Sequence, residues 1–269
     1  MKIGRIKSTL ILFGPTFVFL YAAAAVADSP WALLYILAGA GLLNSTAIFL
    51  LSWSERHWPA NFTMRKEQQV TKAIKENALK VIGLTYLSAA IAWSLGKWLH
   101  GLFGTAPLPE REWIVTQAIA ALFVVDFWDY WAHRLQHRWN WLWAKHAIHH
   151  SVTEFSLFGA AKISWLDTPF VVFPGFLMLG GLGVGVIAAA ATIIAWFALT
   201  TMLHANADLS LGVLDGVIQV PAVHHRHHEI GFENAVAFGG VFCFFDSWFG
   251  TGPRRGDFAK TIGIGPRHP

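Results

Sequence analysis

His133-x-x-x-His137, His146-x-x-His149-His150, a single His204 and His224-x-x-His227-His228 take up nine of the thirteen histidines of this 269-residue chain. Each cluster repeats at three or four residues, the separation at which side chains stack on one face of a helix. Neutral imidazole binds iron, zinc and copper well, and a single-metal site rarely needs more than about four ligands. Eight or nine imidazoles therefore imply two metal ions held close together. Cys243 is the only cysteine, so there is neither a disulfide framework nor a thiolate cage, and any metal is held by nitrogen and oxygen.

Each cluster also has a plainer reading. His133 and His137 follow an apolar segment and could simply mark a wet helix end in an aromatic belt. Asp126 argues against that, because a carboxylate within Val124-Val125-Asp126-Phe127 is costly to bury without a partner. The expected partner is the non-coordinating nitrogen of a metal-bound imidazole. Asp129 and Tyr130 extend the same face. His146, His149 and His150 fall within roughly 100° of arc on a helix and can converge. His224, His227 and His228 repeat that spacing 78 residues later. The run His224-His225-Arg226-His227-His228 could instead be a surface patch, and His225, out of phase with the spacing upstream, is read as a non-ligand. His204 alone reads as an interfacial histidine. Its arrival at the same membrane face as the three clusters makes a ligand role fit as well as the interfacial one. Lys162, Glu154 and Glu229 read as solvated or headgroup-facing charges, and the aromatic run Phe242 to Phe249 as packing.

The elements that must position these residues are membrane helices. Apolar residues make up 55% of the chain, charged residues 13%, and the mean hydropathy is +0.46, against about 25% charged residues in a soluble domain. The net charge of +4 is modest and dispersed, which suits anionic lipid headgroups better than a nucleic-acid groove. Five of the fourteen tryptophans lie between Trp128 and Trp143, at the expected headgroup level. Thr9 to Ala27 is a first apolar run. Its basic start and Ala25-Val26-Ala27 also resemble a signal peptide, but its length favours an uncleaved helix. Trp31 to Trp53, Val81 to Phe103 and a segment from Trp113 to near His133 follow. Glu55 to Lys80, with Lys66 among its basic residues, is the densest basic loop and is expected in the cytoplasm, the Pro107 loop outside. Thr168 to Leu203 carries no charge over 36 residues, about 54 Å if helical against roughly 30 Å of hydrocarbon. Gly175, Gly180, Gly181, Gly183 and Gly185 supply a turn, so a helical hairpin returns His204 to the side where His150 left. The expected fold is all-α: an integral-membrane helical bundle of about four spans plus a glycine-broken helical hairpin, with a cytoplasmic histidine-rich helical cap. Residues 1–112 form an N-terminal transmembrane region and 113–269 the catalytic domain.

Asp126-x-x-x-Tyr130-x-x-His133-Arg134-x-x-His137, Leu142-Trp143-x-x-His146-x-x-His149-His150-Ser151, His204-Ala205-Asn206, Pro221-x-x-His224-x-x-His227-His228 and Asp246-x-x-Phe249-Gly250-Thr251 resemble, in order, the fatty acid hydroxylase superfamily, also called the sterol desaturase family. They cover nearly half the chain. The resemblance implies a membrane di-iron oxygenase that uses O2 and two electrons on a lipid C–H bond. It carries the ligand role to His133, His137, His146, His149, His150, His224, His227 and His228, with His204 as the ninth. Asp126, Tyr130 and Asn206 would support these ligands from outside, and Asn234, Asp246 and the Phe249–Gly252 turn would brace the cap. Where the family often has an arginine and a His-Pro pair, this chain has Ala160-Ala161-Lys162-Ile163-Ser164, which bears on headgroup recognition. With no fused cytochrome b5-like segment, electrons are expected from a separate ferredoxin- or cytochrome b5-like donor with its reductase. The expected location is a bacterial inner membrane, with the site facing the cytoplasm.

The protein's part in such chemistry is orientation and exclusion of water, so no acid–base residue separate from the ligands is expected. The lipid chain would reach the metals from the bilayer, through a slot between helices. A desaturase of the same family fits the same residues. A membrane transporter of transition metals would place its ligands near mid-bilayer on broken helices, whereas these histidines gather at helix ends. A bis-histidine haem protein would leave the triplets unexplained.

Overall fold

The computed structural model describes residues 32–57, 59–60, 72–103, 113–230, 236–252, 259 and 261–264. The Thr9–Ala27 run, the basic stretch around Lys66 and the Pro107 loop lie outside the described residues. Every regular element among the described residues is helical: α1 (Ala32–His57), α2 (Lys72–Leu102), α3 (Ile114–Arg138), α4 (Asn140–His150), α5 (Asp167–Gly181), α6 (Val186–Met202), α7 (Pro221–His227) and α8 (Phe244–Trp248). Short 3-10 turns at Leu157–Ala161 and Gly212–Gly216 complete them. The expected all-α class is met.

Among the described residues two helices, α2 over Asn77–Leu102 and α3, are long and apolar enough to cross a membrane. Their outward faces carry the same character. Leu87, Ile91, Leu95, Trp98 and Leu102 of α2, and Val115, Ile119, Phe123 and Phe127 of α3, are exposed at helical spacing. A helix apolar on all sides belongs in a core or in lipid. On its inner face α3 buries Ala118, Ala121, Val125 and Ala132 at intervals of three to seven, packed against α5 and α6.

The uncharged stretch folds as the helical hairpin α5–α6. Gly183, at φ 79°, makes the turn in a conformation that side-chain-bearing residues rarely adopt. The two helices have 15 and 17 residues. At about 1.5 Å per residue each is somewhat short of the roughly 30 Å of hydrocarbon. Gly96 of α2 crosses Gly180 of α5 so closely that a methyl group on either would lie 2.8 Å from the other's Cα. Small residues at such crossings let backbones approach in apolar surroundings. At the far end α3 stops at Trp139, whose extended backbone (φ −108°, ψ 120°) turns the chain into α4. The hairpin and this bend bring α3, α4, α7 and the His204 segment together.

The N-terminal helices share this core. Leu51 of α1 and Ala89 and Ala92 of α2 are buried in the same cluster as Val172, Ile194 and Met202. Glu55, near the end of α1, is buried and accepts N–H bonds from Leu157 (2.6 Å) and Asn206 (2.9 Å).

Candidate metal centre

All nine expected histidines come together, in two adjoining groups. His133, His137, His146, His150 and His227 form one, and His149, His204, His224 and His228 the other. Within each group the ligand-capable nitrogens lie within 4.8 Å of one another. The groups touch where His150 stacks on His228, ring centroids 4.2 Å apart.

The division follows helical geometry. Four residues advance a helix by about 400°, a net 40°, whereas three fall some 60° short of a full turn. His133 and His137, four apart, share a group. In His146-x-x-His149-His150 the i,i+4 pair enters the five-histidine group and the i+3 residue the other. In His224-x-x-His227-His228 the i,i+4 pair enters the four-histidine group and His227 crosses to the five. Each triplet thus contributes to both groups, where the sequence reading had each converge as a unit.

The imidazoles are aimed by bonds on their outer nitrogens. His133 Nδ1 donates to the Phe238 carbonyl (2.9 Å), His227 Nδ1 to the Val236 carbonyl (2.7 Å) and His204 Nδ1 to the Thr200 carbonyl (3.3 Å). A ring whose Nδ1 carries the proton presents Nε2 as a lone pair. Those Nε2 atoms face other imidazole nitrogens: His204 Nε2 lies 3.0 Å from both His149 Nε2 and His224 Nε2, and His227 Nε2 lies 3.1 Å from His150 Nε2. Buried His133 Nε2 and His146 Nε2 have no hydrogen-bond partner. Burial, reinforced by neighbouring imidazoles, holds His146, His149, His150, His224, His227 and His228 well below the ordinary histidine range, and His204 at about 3. Neutral, converging lone pairs are what a metal ligand must offer. Nitrogen-only sites of this kind suit iron, zinc or copper, so the donor set fits the iron that the family resemblance implies.

His225 is outside both groups, as expected, but it is no surface residue. It is buried and stacks on Phe155 with centroids 3.6 Å apart and planes 4° from parallel.

Two expectations need correction. Asp126 does not bond an imidazole: its oxygens accept the backbone N–H groups of Val241 (2.7 Å) and Phe242 (2.8 Å). Its burial demanded a partner, and the segment Val236 to Phe242, which runs past α3, supplies amide donors. The Tyr130 hydroxyl pairs with Thr251 Oγ1 (2.9 Å) and accepts from Arg134 (2.9 Å), so it ties α3 to the Phe249–Gly252 turn rather than to a ligand. Lys162 is half-buried and donates its ammonium to the Ser151 carbonyl at 2.7 Å. Asn206 acts at least through its backbone, donating to Glu55 and accepting from Ala60 N (3.2 Å). Asn234 lies outside the described residues. Asp246 takes the N–H groups of Phe238 (2.7 Å) and Gly239 (2.9 Å) and the Thr251 hydroxyl (2.8 Å). The aromatic run packs as expected: Phe245 contacts Phe123, Phe127 and Tyr130.

Of the carboxylates beside the histidines, Asp167 escaped the sequence reading, and Asp129 was read only as extending the Asp126 face. Asp167, at the start of α5, lies 3.6 Å from His146 Nδ1. Its signal was present, since it is the last charge before the 36-residue uncharged stretch. Asp129 accepts Trp196 Nε1 at 3.0 Å. It also lines, with His133, His146, His149, His204 and His224, a cavity of about 190 Å³. The rest of the wall is mostly apolar: Ile48 of α1, Ala78, Val81 and Ile82 of α2, Leu157 and Phe158 of the 3-10 turn, Val171 and Val172 of α5, and Trp196 and Phe197 of α6.

Residues 118–251 match the fatty acid hydroxylase family model. The chain belongs to the fatty acid hydroxylase superfamily. It is 29% identical over 149 residues to the ornithine lipid hydroxylase of Rhizobium tropici, covering 53% of this chain and 44% of that protein. It is 28% identical over 136 residues to the alkylglycerol monooxygenase of Homo sapiens (49% and 29%). To a very-long-chain aldehyde decarbonylase of Oryza sativa subsp. japonica it is 27% identical over 161 residues (56% and 51%). The matched segment thus spans about half or less of these relatives. No solved structure matches the chain.

Proposed function

We propose that this chain is a membrane-embedded di-iron oxygenase that hydroxylates a C–H bond of a lipid. The observation that carries the reading is the junction of two buried imidazole groups with an apolar cavity walled by α1, α2, α5 and α6. The relatives' names support it: an ornithine lipid hydroxylase, an alkylglycerol monooxygenase and a very-long-chain aldehyde decarbonylase.

The five-histidine and four-histidine groups would each hold one iron, and iron there supplies the binding and reduction of O2. The balance is R–H, O2, two electrons and two protons giving R–OH and water. The electrons come from a separate ferredoxin- or cytochrome b5-like donor with its reductase. The chain's own residues provide the rest. Carbonyls of Thr200, Val236 and Phe238 set ring orientation, Leu157 and Phe158 exclude water, and the wall from Ile48 to Ile82 admits an alkyl chain between helices. At about 190 Å³ the cavity suits part of a chain near the metals, with the remainder of the lipid outside it. In this reading the protein is multi-pass, in a bacterial inner membrane, with the histidine-bearing end on the cytoplasmic side.

Metal analysis of the purified full chain, coupled to lipid mass spectrometry of cells with and without it, tests the reading. The expected result is two irons per chain and lipids that have gained one oxygen atom. Lipids that have lost two hydrogens instead would assign desaturation. Zinc as the native metal with unchanged lipids would overturn the oxygenase and favour metal transport.

A further inference from the structure

Val236 to Phe242 has no regular secondary structure, yet both of its sides are bonded. On one side the carbonyls of Val236 and Phe238 receive the Nδ1–H of His227 and His133. On the other, four of its amides end on two buried carboxylates: Phe238 and Gly239 on Asp246, and Val241 and Phe242 on Asp126. Gln219 Nε2 donates to the Gly239 carbonyl, and Ala237, at the unfavourable φ of 61°, donates its N–H to the Thr251 carbonyl at 2.8 Å. Gly240 passes so close to α3 that a methyl group there would meet the Asp129 carboxylate and lie 3.0 Å from Asp126. The segment is a strap that would not keep this path unaided. A non-glycine left-handed residue persists only where its surroundings over-determine it.

We propose that Asp126 and Asp246 are positioning residues for the five-histidine group. They clamp the strap so that its carbonyls fix the rotation and tautomer of His133 and His227, leaving both Nε2 lone pairs for the metal. Outer bonds of this kind govern ligand basicity and orientation in histidine metal sites. The effect is selective: both oriented rings belong to the five-histidine group, whereas His204, in the other group, bonds the Thr200 carbonyl of α6. Asp126 thereby acts on the metal ligands at one remove, through backbone. The proposal rests on the two-metal reading.

The test uses the full chain in lipid nanodiscs, loaded with iron. Metal per chain is measured for the wild type, Asp126→Asn and Asp246→Asn, with Thr192→Val as control. Thr192 is buried and bonds the Ala188 carbonyl at 2.8 Å, away from the strap. Each Asn variant is expected to weaken one ion by about 10–100-fold while retaining the other, and the control to keep both even if it melts earlier. Two ions in the wild type, with the Asn variants keeping both or losing both in parallel, overturns the strap alone. Fewer than two ions in the wild type overturns the two-metal reading and the strap with it. Nitrogen-15 NMR of the zinc-loaded wild type, where no variant need fold, is the second measurement. Protonated Nδ1 is expected at His133 and His227, and protonated Nε2 at either would refute the clamp.

Discussion

His204 Nε2 lies 3.0 Å from His149 Nε2, although 55 positions and a helical hairpin separate them. His224 Nε2 approaches His204 Nε2 at the same distance. The hairpin's length and its turn at Gly183 therefore deliver one imidazole to within reach of two others.

On the proposed two-metal reading, His204→Ala should cost the chain one of two metal ions, because it removes an imidazole that lies 3.0 Å from both His149 and His224. Elemental analysis of the purified variant measures this. Retention of both ions would remove His204 from the ligand set.

Glu55 is the fixed point between α1 and the site. Glu55→Ala leaves the buried amides of Leu157 and Asn206 without an acceptor, at about 1–3 kcal/mol each. The variant should unfold at lower denaturant and bind metal more weakly, since Asn206 follows His204 by two residues. Glu55→Gln, which keeps one acceptor oxygen, should lose less. An unchanged midpoint for Glu55→Ala would show that water replaces the carboxylate.

The metal-free protein should lose stability as pH falls below about 6.5, the unperturbed histidine value. His204 and His225 are held near 3 and His133 near 4 in the folded state, and six further histidines well below their ordinary range. Between the folded and unfolded values the unfolded chain binds more protons, so stability rises with pH and is lost on acidification, by up to about 1.4 kcal/mol per pH unit for each such histidine. Denaturation midpoints of the stripped protein at pH 7.5, 6.5 and 5.5 measure the slope. A flat profile would mean the imidazoles are not buried neutral.

Ala78 lines the cavity from α2 and lies outside the histidine groups. Ala78→Phe should leave iron content intact and reduce lipid oxidation by about ten-fold or more, since displacing a substrate by an ångström can cost that much or beyond. Undiminished oxidation would place the alkyl chain elsewhere.

His146 and His227 share one group, so the segments carrying them must lie on one side of the membrane. Cysteine labelling of sealed vesicles should find Lys145→Cys and Lys66→Cys accessible from the same side, and Pro107→Cys from the other. Labelling of positions 66 and 145 from opposite sides would overturn the four-span arrangement.

Histidine spacing, hydropathy and glycine placement are local properties, and the sequence alone determined what depends on them. The nine ligand candidates, the exclusion of His225, the helical class and the hairpin are written in residue types at helical intervals. Even the division of each triplet is implicit in the 40° and 60° offsets of four and three residues. Which group each part joins was decided by tertiary structure, because that depends on how α4 leaves Trp139 and where α7 docks. The partners of the buried carboxylates were equally out of reach. Burial announced that Asp126 needed hydrogen bonds, but backbone amides 115 and 116 residues away supply them, and an amide donor looks the same at every position of a sequence. Glu55 gave no signal at all. It stands beside a basic stretch like any solvated carboxylate, and only the packing of α1 against the 3-10 turn and the His204 segment removes it from water.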